Sequence, residues 1–113
     1  MIVEDNPQVR RMLRSFLEDL VDEFVECSDG SEALIAYSEH HPDLVLMDVQ
    51  MKHLDGFDTT REIKSAFPGA RVVMVSQWDS PALREAATKA GAEDYVKKVS
   101  LLPLREIISK SVG

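Results

Sequence analysis

With 113 residues, one cysteine and a formal net charge of −7, the chain has the size of one ordinary domain, able to bury roughly two thirds of its unfolded surface. The acidic balance argues against direct nucleic-acid binding, and the lone Cys27 excludes an internal disulfide and fits a reducing compartment. No apolar run approaches a membrane span and no signal-peptide pattern opens the chain, so a cytoplasmic globular domain is expected.

Strand-like and helix-like segments alternate, the order of a parallel α/β sheet. Met1-Ile2-Val3 reads as a first strand, short for a central one, leading into Glu4-Asp5. Asn6 is a good helix cap and Pro7 suits a first helical position, so a helix is expected from there. Val9, Met12, Leu13, Phe16, Leu17 and Leu20 recur at helical spacing and would face the sheet. Phe24 to Cys27 reads as a second strand. Ser28-Asp29-Gly30 turns into a second helix, with Ala33, Leu34 and Tyr37 inward, ending before Pro42.

Asp43 to Asp48 encloses an apolar run between acids, the pattern of a central strand covered on both faces. A third helix is expected over Gly56 to Phe67, stopped by Pro68-Gly69. Arg71 to Ser76 reads as the fourth strand, and Ser80-Pro81 opens a fourth helix that Gly91 ends. Glu93 to Lys97 is the fifth strand. Leu101, Leu104, Ile107 and Ile108 mark a last amphipathic helix.

Four of these apolar runs end at or beside polar groups. The first meets Glu4-Asp5, the third Asp48, the fourth Ser76 and the fifth Lys97-Lys98. C-terminal strand ends of a parallel sheet share one edge, where ligand chemistry collects. Three acids, a hydroxyl and an ammonium are therefore expected to converge there. Such a set can bind a divalent cation and carry a phosphoryl group on a carboxylate.

Glu4-Asp5, Asp48, Asp55-Gly56, Ser76, Gly91-Ala92 and Tyr95-x-x-Lys98 closely resemble bacterial response-regulator receiver domains, in order and at that family's spacing. The resemblance covers essentially the whole chain. It implies a flavodoxin-like (βα)5 three-layer sandwich with a five-stranded parallel sheet in the order 2-1-3-4-5, and one receiver domain over 1–113 without an output domain. It also implies a signalling protein that catalyses only its own phosphorylation and dephosphorylation.

In that family's scheme Asp48 is the phosphoacceptor, loaded from a sensor histidine kinase or a phosphotransfer protein. Asp5 and Asp48 coordinate Mg²⁺ directly, Glu4 acts mainly through water, and the third protein ligand is the backbone carbonyl of Gln50. Lys98 pairs with a phosphate oxygen or, at rest, with Asp48. Lys97 is its rival, but alternation sends the two to opposite faces and spacing from Gly91 and Tyr95 favours Lys98. Ser76 bonds a phosphoryl oxygen and moves with the switch residue Tyr95. The face formed by helix 4, strand 5 and helix 5 then controls an output, with transcription the expected kind, and offers a possible homodimer surface.

Trp78 has two readings, a bulky shield over the acyl phosphate or a loose surface aromatic. Two positions depart from the commonest family pattern. Val99 follows the lysine where proline is frequent, and Lys52 replaces a proline in the loop after Asp48. Neither removes a chemical group, so they bear on loop geometry and kinase specificity. His40, His41 and His53 show no metal-ligand spacing and are read as non-catalytic.

Three other functions compete. A haloacid-dehalogenase-like phosphatase needs an acid two residues after its nucleophile, and Gln50 cannot protonate a leaving group. A receiver-like interaction module working without phosphorylation usually lacks an acid or the lysine, and this chain keeps both. A flavodoxin-type nucleotide binder is weaker still, since no Gly-rich loop follows the first strand.

Overall fold

The computed structural model describes residues 1–51 and 54–112, so the expectations placed on Lys52 and His53 lie outside the described residues. Strand and helix alternate throughout: β1 (Ile2–Val3), α1 (Pro7–Leu17), β2 (Glu26–Cys27), α2 (Gly30–His40), β3 (Val45–Asp48), α3 (Gly56–Ala66), β4 (Val72–Ser76), α4 (Pro81–Ala90), β5 (Asp94–Lys97) and α5 (Leu102–Val112). The five strands are parallel and lie in the order β2-β1-β3-β4-β5. This is the expected fold and strand order.

Local chemistry sets the helix ends. Asn6 Oδ1 accepts from the N–H of Gln8 at 2.9 Å and opens α1, and Asp29 Oδ1 accepts from Ser31 at 2.9 Å at the start of α2. Asp55 and Ser80 do the same for α3 and α4, accepting from Asp58 and Leu83. Each acceptor satisfies a first-turn donor that has no partner inside its helix. Gly91 closes α4 with φ 105, a left-handed conformation that a side chain would strain. His41, adjoining His40 at the end of α2, adopts φ 45 and donates its N–H to Tyr37 O.

Alternation along the strands splits the core in two. Val3, Met47, Met74 and Tyr95 point to the face covered by α2, α3 and α4, where Tyr37, Ile63 and Ala87 meet them. Ile2, Leu46, Val75 and Val96 point to the opposite face, covered by Leu13 and Leu17 of α1 and Leu104 and Ile108 of α5. Every residue of β3 and β4 is buried. Burying one such aliphatic side chain is worth about 1.5–3 kcal/mol, so these two central strands anchor the edge on which the site is built.

Three details differ from the sequence reading. The second strand is ladder-paired only over Glu26–Cys27, because its sole neighbour β1 is itself two residues long. Val25 still contributes its carbonyl to the N–H of Ile2 at 2.8 Å. The first helix ends at Leu17, and Leu20 packs on the same core from the turn that follows. Met12 is 42 % exposed rather than turned to the sheet, since it lies at the edge of the stripe formed by Val9, Leu13, Phe16 and Leu17.

Candidate functional site

Register decides which side chains meet at the C-terminal edge. Val3 pairs with Met47, so the next residues, Glu4 and Asp48, fall level on adjacent strands. Asp48 in turn pairs with Val75, and Ser76 pairs with Lys97. Glu4 and Asp48 keep the parity of Ile2 and Leu46, and Lys98 that of Val96, which brings all three to the α1/α5 side of the sheet. Ser76 and Tyr95 keep the parity of Met74 and belong to the α2/α3/α4 side.

The sequence-predicted groups are brought together. Lys98 Nζ lies 2.7 Å from Glu4 Oε1 and 3.0 Å from Asp48 Oδ1. Glu4, Asp5 and Asp48 each offer a carboxylate oxygen within 4.8 Å of the others. Glu4, Asp5, Asp48, Gln50, Ser76 and Lys98 line one cleft of about 180 Å³, together with Asn6, Val9, Gln77 and Trp78. Lys97, the rival lysine, is exposed on the outer surface. The N–H of Lys98 donates to Ser76 O at 2.7 Å, which fixes the backbone from which the ammonium reaches inward.

Electrostatics make this cluster unusual. Glu4 and Asp48 are both buried, and for Glu4 burial disfavours the charged form. Burial pushes the Glu4 carboxyl up from 4.5 to about 8, the neighbouring Asp48 adds to the rise, and Lys98 opposes it. For Lys98, burial works against the charge, but Glu4 and Asp48 outweigh it and hold the ammonium above its ordinary range. Glu4 Oε2 is buried without a hydrogen-bond partner among the described residues. Lone pairs left over on clustered carboxylates are what a hard, oxygen-seeking cation such as Mg²⁺ takes. The donor set therefore fits that ion.

Ser76 and Tyr95 join through Trp78. The Trp78 N–H donates to Ser76 Oγ at 3.1 Å, and Tyr95 OH donates to Trp78 O at 2.7 Å. Tyr95 is 5 % exposed, and the Arg84 guanidinium stacks over its ring at 5.3 Å from the centroid. Asp79 holds Arg84 in place with bonds of 2.6 and 3.1 Å. The Trp78 side chain is 54 % exposed beside the cleft. At the other departure from the family pattern, Val99 is exposed, and no cis peptide bond occurs among the described residues.

Two residues near the site carry no signal in the sequence: Gln77, which lines the cleft, and Arg10. Arg10 Nη1 donates to the carbonyl oxygen of Glu4 at 2.6 Å. A side chain that reaches back to a backbone atom leaves no periodicity or spacing in a sequence, so nothing pointed to it.

The chain has close relatives. The sequence profile of the response regulator receiver domain matches residues 1–109. The chemotaxis protein CheY of Halobacterium salinarum is 37 % identical over 98 residues, covering 87 % of this chain and 82 % of that protein. Among solved structures, a two-component response regulator of the LuxR family from Aurantimonas sp. SI85-9A1 superposes with a TM-score of 0.87 at 29 % identity, covering 97 % of this chain and 84 % of the other. A CheX–CheY–BeF3–Mg complex from Borrelia burgdorferi contains a chain that superposes with a TM-score of 0.77 at 28 % identity, covering 98 % and 83 %.

Proposed function

This chain belongs to the response-regulator receiver family of two-component signalling, and from that membership we propose that it is a Mg²⁺-dependent phosphoacceptor with Asp48 as the acceptor. One observation carries the reading: Lys98 spans Glu4 and Asp48 at the shared sheet edge, in a cleft with Asp5 and a Glu4 carboxylate oxygen that has no hydrogen-bond partner among the described residues. The Borrelia complex, which holds a related chain together with BeF3 and Mg, supports the Mg²⁺-dependent reading.

A carboxylate oxygen of Asp48 attacks the phosphorus of a phosphohistidine. A P–O bond forms, the P–N bond breaks, and the imidazole leaves with the electron pair on the partner. Little acid or base chemistry is needed, since a loose phosphoryl transition state is served by alignment and charge. Lys98, already held by Glu4 and Asp48, moves its ammonium onto a phosphoryl oxygen. Ser76 accepts from the Trp78 N–H through Oγ, which leaves its own O–H to donate to another phosphoryl oxygen. Mg²⁺, held by Asp5, Asp48 and the Gln50 carbonyl with Glu4 acting through water, would neutralise the crowded carboxylates and the transferred group.

The phosphoryl group shifts a two-state equilibrium through its differential contacts with Ser76, and the Ser76–Trp78–Tyr95 chain of bonds carries that shift to the α4–β5–α5 face. That face controls the output, with transcription the expected kind, and serves as the homodimer surface. The partners are a sensor histidine kinase or a phosphotransfer protein, the domain itself binds no nucleic acid, and its setting is the cytoplasm. Among the described residues no helix is long and apolar enough to cross a membrane.

Intact-mass spectrometry after incubation with acetyl phosphate and Mg²⁺ tests the proposal. One added phosphoryl group is expected, absent in Asp48→Asn and absent with EDTA. A folded, Mg²⁺-loaded protein that gains nothing from acetyl phosphate or from phosphorylated kinase is instead an interaction module.

A further inference from the structure

Arg10 lies in the early turns of α1 and does not line the cleft. Its Nη1 donates to Glu4 O at 2.6 Å, and its Nε lies 3.7 Å from Glu26 Oε1. Glu26 is fixed in turn: it pairs with Ile2 in the β1–β2 ladder, and Arg14 holds its other oxygen at 2.6 Å. The Arg10 side chain is 19 % exposed against 52 % for Arg14, so the contact to the carbonyl is much better shielded from water.

The Glu4 carbonyl belongs to the peptide unit that joins Glu4 to Asp5. That unit is planar, so fixing its oxygen fixes the plane from which the Asp5 side chain departs. On the other side, the N–H of Glu4 donates to Cys27 O at 3.0 Å. Glu4 is thus held by β2 through its N–H and by α1 through its C=O. The restraint matters because β1 is only two residues long, too short a ladder to orient by itself the acids that follow it.

From these contacts we infer that Arg10 is a positioning residue for the cation site, a donor that fixes the Glu4–Asp5 peptide and with it the aim of both carboxylates at a divalent cation. The inference rests on the metal-dependent reading proposed above. Charge alone predicts the opposite behaviour: a guanidinium beside an acidic cluster repels a dication, so removing it would tighten binding. Loss of an outer contact that orients metal ligands instead costs about 10- to 100-fold in affinity.

Calorimetric titration of Mg²⁺ into wild type, Arg10→Met, Arg10→Lys and Arg14→Met separates the two. Arg14 carries the same charge one turn on and meets Glu26 and Phe24 without touching the carbonyl. Arg10→Met should weaken Mg²⁺ binding about 10-fold, Arg10→Lys should recover most of it, and Arg14→Met should leave it unchanged. In metal-free protein, the ¹⁵N shift of the Asp5 amide should move in Arg10→Met and stay in Arg14→Met. Binding in Arg10→Met as tight as wild type or tighter overturns the inference, as does equal weakening in Arg14→Met. Should Arg10→Met fail to fold by circular dichroism, the milder Arg10→Gln is read in the same way. Wild-type protein that binds no Mg²⁺ overturns the proposed function itself, before Arg10 is tested, and the inference with it.

Discussion

Gly56→Ala is the substitution on which helix propensity and packing disagree in sign. Gly56 opens α3, and its N–H donates to Val49 O at 2.8 Å. A Cβ at this position would lie 2.0 Å from the carbonyl oxygen of Asp48 and 2.9 Å from its carbonyl carbon. The Met74 Cε, also at 2.9 Å, is a flexible tip that can yield, but the Asp48 backbone cannot. Ordinary contact begins at 3.4 Å, so the helix and the strand end must part by about 1.4 Å, the difference between 3.4 and 2.0 Å. Over-packing of this severity costs about 3 kcal/mol, the upper end of the usual range. The same movement displaces the acceptor aspartate, and a misplacement of about 1 Å can cost about 100-fold in rate. Urea denaturation should show the midpoint falling with an unchanged slope, and labelling by acetyl phosphate should slow about 100-fold in the folded fraction. Helix propensity alone makes alanine better than glycine by about 1 kcal/mol. A variant as stable as wild type, or more stable, would refute the packing argument.

Two further predictions concern the buried charges. The Glu4 carboxyl is raised from 4.5 to about 8, so the folded state favours its protonated form. Stability from this group is full below about pH 4.5 and is lost as pH rises through about 8. In EDTA the denaturation midpoint should therefore fall between pH 5 and pH 8, and Glu4→Gln should flatten that slope. An identical slope in the variant would assign the pH dependence to another group. Lys98→Met removes the only ammonium that, among the described residues, meets Glu4 and Asp48, whose side chains are 2 % and 8 % exposed. Breaking a buried pair from one side costs about 3 kcal/mol or more, and Mg²⁺ should restore most of it by supplying the missing positive charge. The check is denaturation with and without Mg²⁺; equal losses in both would show that the ammonium does not offset the carboxylates.

Much of this molecule is written locally. Asn6-Pro7, Asp29, Asp55 and Ser80-Pro81 declare helix starts because a cap is a contact between near neighbours in sequence, and each of these residues makes that contact. The unbroken apolar run before Asp48 declared a central strand for the same reason. Alternation also sends Lys97 and Lys98 to opposite faces without any knowledge of their surroundings, and the spacing from Gly91 and Tyr95 then favours Lys98. Where the reading slipped, at Met12 and at the length of the second strand, the deciding partner was distant: the α1 stripe is bounded by what packs on it, and an edge strand is only as long as its neighbour allows.

What only the tertiary structure decided is how the collected groups share one another. The residues destined for one sheet edge were visible in the sequence, because strand ends and side-chain parity are local properties. The division of Lys98 between Glu4 and Asp48, the stranded Glu4 oxygen, the close approach of Gly56 to the Asp48 backbone and the grip of Arg10 on the Glu4 carbonyl were not. These depend on ångström-scale register between β1, β3, α1 and α3. Coulomb and van der Waals forces act through space, and a sequence records the order of groups along the chain but not the distances between them.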